Sequence, residues 1–239
     1  MGDLDGADEL FRQALDGARE GLGAQHPQTL VALYHLGMLR QARGELAGAV
    51  VLYREALQTS RTMLGDAHPD TLISMNNLGG VLQSLGERDE AEALYRETVQ
   101  ARRETLGDAD GDTLISINNL GGILQELGRL DEAASLYREA LAARRSTLGD
   151  HHPRTITSLN NLGTLLKEEG DLEGAMPLLR EALAACRATL GDSHPDTLST
   201  LYNLGLVHES LGDLEVHHVH ACASCASCAS CTCHDHLPN

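Results

Sequence analysis

The residues best equipped for chemistry crowd the far end of the chain. The stretch VHHVHACASCASCASCTCHDHLPN sets Cys222, Cys225, Cys228, Cys231 and Cys233 among five histidines. Its C-x2-C and C-x-C spacings let thiolates and imidazoles converge on one soft ion, zinc or copper(I). The repeated A-S-C triplet is also low in complexity, and zinc modules ordinarily part their ligand pairs with a folded spacer. A disordered or out-of-frame tail over 216–239 is therefore placed first, adventitious metal binding second and an evolved metal site third. No cofactor is expected, and these five cysteines are the metal candidates.

The other polar recurrences point away from catalysis. His26, His68, His152 and His194 each precede a proline and stand too far apart in sequence to share a metal. Arg61, Arg103, Arg145 and Arg187 form a row. It can be read as an anion stripe, but cations favour helix C-termini, and pairing with nearby glutamates is the expected role. No phosphate-binding loop, nucleophile elbow, H-E-x-x-H or dinucleotide fingerprint occurs. The chain is not expected to be an enzyme.

Charge narrows the partners. The formal net charge is −17, which disfavours nucleic acid and anionic membrane surfaces, both negative themselves. No apolar run is long enough to span a bilayer, and the acidic start MGDLDGADEL lacks the basic and apolar parts of a signal peptide. The expected location is cytoplasmic. Cys186 stands alone in the body of the chain, so a disulfide framework is excluded there.

What must position these residues is a repeat. Gly23, Gly65, Gly107, Gly149 and Gly191 are each 42 residues apart. Gly37, Gly79, Gly121, Gly163 and Gly205 keep the same step, as do Ala49, Ala91, Ala133 and Ala175. Each unit reads as two helices. In the unit from Gly65, Pro69 suits a first helical position, and His68, Asp66 or Asp70 can cap it. Helix A runs to about Leu85 and stops at Gly86; helix B starts near Asp89 and ends at Leu106, before Gly107. The array spans 1–215: a partial helix B over 2–22, full repeats 23–64, 65–106, 107–148 and 149–190, and a final helix A over 191–213. The tail over 216–239 follows it.

Within a unit, Met75-x2-Leu78-Gly79-x2-Leu82 followed by Ala91-x3-Tyr95 resembles the tetratricopeptide signature. The longer unit LGDAHPDTLISMNNLGGVLQSLGERDEAEALYRETVQARRETLG is similar to the repeats of kinesin light chains and of nephrocystin-type arrays. The resemblance covers roughly residues 2 to 215 and implies an all-α fold, an α–α superhelix of antiparallel helix pairs. It implies an adaptor or scaffold holding an extended peptide in the concave groove. Kinesin light chains also carry a heptad coiled coil for the motor heavy chain; this sequence shows none, so a motor partner is not supported.

The A helices decide the site. Residues i, i+3, i+4 and i+7 share a helix face. Leu72, Met75, Gly79 and Leu82 form a stripe for packing on helix B. Gly79 costs about 1 kcal/mol against alanine in a helix interior, and its recurrence implies a close approach. The next stripe is Ile73, Asn76, Gly80 and Gln83, matched by Ile115, Asn118, Gly122 and Gln125 and by Thr157, Asn160, Thr164 and Lys167. The resemblance places this stripe on the groove. Its asparagines offer both donor and acceptor to a peptide backbone, whereas Asn77, Asn119, Asn161 and Asn203 are expected to bond backbone of an adjacent helix. Lys167 is the one cation on the stripe, so a preference for acidic peptides is not carried over, and a neutral or basic ligand is at least as plausible. The rival readings are a purely architectural array and a metal-binding tail.

Overall fold

The structure, a computed structural model, describes residues 4–225, with side chains to residue 212. Ten α-helices and no strand occur among the described residues: α1 (Leu4–Gly21), α2 (Pro27–Ala42), α3 (Leu46–Leu64), α4 (Pro69–Leu85), α5 (Arg88–Leu106), α6 (Gly111–Glu126), α7 (Leu130–Leu148), α8 (Pro153–Glu169), α9 (Leu172–Leu190) and α10 (Pro195–Cys225). They divide into two compact units, Met1–Gly149 with α1 to α7 and Asp150 onward with α8 to α10. Within each unit, consecutive helices pack on one another.

The turns repeat one device. The Nδ1 atoms of His26, His68, His152 and His194 accept the backbone N–H two residues on, at 3.1–3.2 Å. Of the capping alternatives, histidine is the one used. Proline at the first helical position removes a donor that would otherwise lack a partner. In α6, Asp110 stands in the histidine's place and accepts from Asp112 at 2.8 Å and from Thr113 at 3.4 Å. The hydroxyls of Thr29, Thr71 and Thr197 reach back to the carbonyls of Gly23, Gly65 and Gly191, each at 2.8 Å. Those glycines end the preceding B helices; Gly65 sits at φ 89° and ψ 166°, a conformation that a Cβ excludes.

The core lies between the A and B helices. Leu33, Met75, Ile117 and Leu159 are fully buried at equivalent positions of α2, α4, α6 and α8. Four of the signature glycines, Gly37, Gly79, Gly121 and Gly163, each seat a side chain of the partner helix. A Cβ on Gly37, Gly79 or Gly121 would lie 2.7, 2.8 or 2.5 Å from Cε1 of Tyr53, Tyr95 or Tyr137. At Gly163 the neighbour is Leu179, at 2.8 Å. Gly205 in α10 has nothing within 4 Å. This helix runs to Cys225, past the boundary at 213–215 read from the sequence. Between Gly212 and Cys225 there is neither glycine nor proline to stop it.

Candidate functional site

The A-helix stripe next to the core stays open to solvent. In the first unit, Val31 and Met38 of α2 and Ile73 of α4 are exposed apolar side chains, at 55%, 46% and 39%. Asn76, Gly80 and Gln83 of α4 and Ile115, Asn118, Gly122 and Gln125 of α6 are half-buried. In the second unit, Thr157 is exposed while Asn160, Thr164 and Lys167 are half-buried on α8. Tyr202 of α10 is 69% exposed.

Buried tyrosines brace the stripe from behind. The Tyr95 hydroxyl donates to Gln83 Oε1 at 3.2 Å, and the Tyr53 hydroxyl to Gln41 Oε1 at 3.4 Å. Gln83 then donates to Glu126 at 2.6 Å, joining α4 to α6. Burial pushes the Tyr95 phenol up to about 12, helped by the Glu126 carboxylate. Burial does the same for Tyr53, also to about 12, with Tyr34 adding to it.

Asn76, Asn118, Asn119, Asn160 and Asn203 bond across helices, and their observed partners are side chains rather than backbone. Asn119 Nδ2 donates to Asn76 Oδ1 at 3.0 Å, joining α6 to α4. Asn203 of α10 donates to Thr164 Oγ1 of α8 at 3.4 Å. The stripe asparagines are engaged as well. Asn118, oriented so that its oxygen faces Arg144, accepts from Nη2 at 3.0 Å and from Nη1. Asn160 Nδ2 donates to Thr200 Oγ1 at 2.9 Å. Among the described residues Asn76 Nδ2 meets no acceptor, and Asn160 Oδ1 is buried without a donor. Asn77 Nδ2 is likewise buried without a partner.

Sequence reasoning missed two buried arginines. Arg102 and Arg144 are 5% and 2% exposed. Arg102 Nη1 donates to Asp112 O and Ser116 Oγ, both at 2.7 Å, and Arg144 Nη2 donates to Leu114 O at 3.1 Å. The signal was in the helix spacing. Arg102 continues the stripe of Ala91, Tyr95 and Thr98, which faces the core. Ser60 and Cys186 hold the same place in α3 and α9, both buried. Burial lowers the Arg102 pKa and raises that of the Cys186 thiol.

Within the arginine row, Arg61 and Arg103 pair with glutamates, as expected, but on the next B helix, while Arg187 pairs with Asp192. Arg61 meets Glu97 at 2.5 Å and Arg103 meets Glu139 at 2.6 Å, each 36 residues on, and Arg19 meets Glu55 at 2.6 Å in the same way. Cys228, Cys231 and Cys233 lie outside the described residues. Of Cys222 and Cys225 only the backbone, in the last turns of α10, is described. No helix among the described residues is long and apolar enough to cross a membrane.

The profile of the tetratricopeptide repeat family matches residues 1–62, 31–104, 112–188 and 169–216. The chain belongs to the tetratricopeptide repeat family. No curated protein matches it in sequence. Among solved structures, a Podosopora anserina protein described as a kinesin light chain with nearly identical TPR-like repeats is similar at 27% identity and a TM-score of 0.71, over 79% of this chain and 90% of that one. BtubC (BKLC) from P. vanneervenii shares the fold at 22% identity and a TM-score of 0.75, over 100% of this chain and 98% of that one. MamA shares the fold at 16% identity and a TM-score of 0.54, over 77% and 89%. The tetratricopeptide repeats here are of the kinesin light chain type, and the fold is the all-α array of helix pairs. Such arrays support protein–protein interaction as scaffolds.

Proposed function

We propose that the A-helix face holds an extended segment of a partner protein, and that the chain acts as a non-enzymatic adaptor. One observation carries this reading. Exposed apolar side chains and polar amides alternate on one stripe, with Val31, Met38 and Ile73 left open beside Asn76 and Gln83. Apolar side chains bared together beside polar groups mark interaction surfaces. Amides with one end held by the neighbouring helix are fixed in place, and the other end can meet a peptide backbone whatever its sequence. The groove residues are Ile73, Asn76, Gly80 and Gln83, Ile115, Asn118, Gly122 and Gln125, and Thr157, Asn160, Thr164 and Lys167. The cytoplasm is the proposed location.

Peptides selected from a displayed random library against the full chain test it. Ile73→Arg and Thr157→Arg put bulk and charge on the open stripe without touching the core, and each should weaken the selected peptides by about tenfold or more. The helical circular dichroism should stay unchanged. Gln58→Arg, on an exposed position of α3, is the control and should bind normally. Selected peptides that bind the stripe variants as tightly as the parent would overturn the reading.

A further inference from the structure

The first and last helices each leave bare a face that their counterparts bury. In the second unit, α8 packs on α9 and buries Ile156, Leu159, Leu162, Gly163 and Leu166. One period on, α10 carries Leu198, Leu201, Leu204, Gly205 and His208 in the same places. Leu198 is 53% exposed, Gly205 and His208 are exposed, and Leu201 and Leu204 are half-buried. The other side of α10 is closed: Thr197, Thr200 and Val207 are fully buried, with Cys186 of α9 against Thr200. Because α10 runs on as one helix to Cys225, no helix B turns back over its bare side among the described residues.

In the first unit, α1 has the complementary gap. Its Ala7, Phe11, Ala14 and Ala18 stand one period before Ala49, Tyr53, Ala56 and Ser60 of α3. Those four are fully buried in α3. In α1, Ala14 is exposed, and Ala7 and Phe11 are half-buried, although the Phe11 ring stacks on His35 of α2 with centroids 5.6 Å apart.

The two gaps are halves of one interface. Tyrosine rings of α3, α5 and α7 fill the glycine seats of α2, α4 and α6, and Leu179 of α9 fills that of α8. In α10 the seat is Gly205, and it is empty. In α1 the ring is Phe11, in the tyrosine's place. Leu179 shows that the seat needs no hydroxyl. Gln41 and Gln83 accept from the hydroxyls of Tyr53 and Tyr95, whereas α10 has Glu209 at that position, and phenylalanine needs no acceptor there. The outer ladder also fits. Glu55, Glu97 and Glu139 meet Arg19, Arg61 and Arg103. Gln13 of α1 holds the glutamates' place and Arg187 of α9 the arginines', and an amide oxygen accepts from a guanidinium.

We infer that α10 of one copy receives α1 of a second copy, with Phe11 entering the Gly205 seat. The joint extends an interface that the chain already builds four times, and it does not depend on the groove reading. The two faces differ, so a joined pair keeps one bare face of each kind and further copies add head to tail. The joint is apolar, while each chain carries a net charge of −17. Salt should therefore strengthen it by screening the repulsion between copies.

Sedimentation velocity of the full chain tests this, with a reductant present so that cysteines form no cross-links. From about 1 µM to about 300 µM, the span of weak contacts, the mean mass should climb past that of one chain and keep climbing. The climb should be steeper in about 0.5 M salt than in about 0.05 M. Ala14→Arg blocks the α1 face at an exposed position. Gly205→Ala with Leu198→Arg blocks the α10 face at two exposed positions. Each blocked chain alone should associate about tenfold more weakly or worse. Mixed in equal amounts, they bring together one intact α10 face and one intact α1 face, so association should return but stop at pairs. Gln58→Arg, the charge control on α3, should behave as the parent. A full chain that stays single throughout overturns the inference, as does equal loss in Gln58→Arg. So does association that the blocking variants leave unchanged, or a mixture no tighter than its parts, which marks a symmetric contact or one through the tail.

Discussion

The Tyr137 ring lies so close to Gly121 that a Cβ there would stand 2.5 Å from its Cε1 atom. The glycine is a seat, and the aromatic ring of helix B fills it. In α10 the same signature position, Gly205, meets open space.

One substitution should therefore have two signs. Gly121→Ala forces the ring or the helix to move and should destabilise by about 1–3 kcal/mol, less what alanine recovers in helix propensity. Gly205→Ala meets no neighbour and should stabilise α10 by up to about 1 kcal/mol. Urea unfolding of the two variants reads both signs. Equal effects would refute the seating argument.

Arg102 ties α5 to α6 through Asp112 O and Ser116 Oγ. Arg102→Ala leaves both without that donor and should cost about 1.5–3 kcal/mol, the range for hydrogen bonds to charged groups. Lysine should restore little of it, since a point charge does not reproduce a guanidinium fork. Thermal unfolding of the alanine and lysine variants measures this.

The outer ladder should matter far less. Arg61 and Glu97 are both partly solvated, so Arg61→Gln should cost less than about 1 kcal/mol. A double-mutant cycle with Glu97→Gln at low salt and at 1 M salt, a concentration that screens charges beyond about 3 Å, should show the coupling shrinking.

The buried phenols give a pH dependence with a definite sign. Tyr53 and Tyr95 are raised from 10 to about 12 in the folded chain. Their contribution is whole below pH 10. As pH rises from 10 to 12, the unfolded chain loses these protons before the folded one does, so stability falls across that window. Tyr95→Phe should reduce the slope there. Phenolate absorbance should show these two tyrosines ionising above the ordinary phenol range of about 10.

Much of this was readable in the sequence because glycine and proline punctuate it. The ends of α4 and α5, at Leu85 and Leu106, coincide with the expected stops at Gly86 and Gly107. The close approach at Gly79 was implied by its recurrence, although its partner, Tyr95, was not. The asparagine pairs were harder. A helical wheel tells which face a side chain leaves from, but Asn119 reaches Asn76 only because of the offset between neighbouring A helices, which no single helix encodes. Arg102 hid for a different reason. A charged residue near a helix C-terminus has an adequate explanation on the surface, and only its phase with Tyr95 and Thr98 marked it as buried.

The Arg61–Glu97 and Arg103–Glu139 links share one sequence offset, 36, just as the Gly79–Tyr95 and Gly121–Tyr137 contacts share 16. Both offsets sit inside a period of 42. Gene duplication that adds or removes a whole period therefore hands every side chain a ready counterpart at the new junction. An insertion of any other length between Gly79 and Tyr95 would break the Arg61–Glu97 and Gly79–Tyr95 links together, so the array bears a change in copy number better than a change in step.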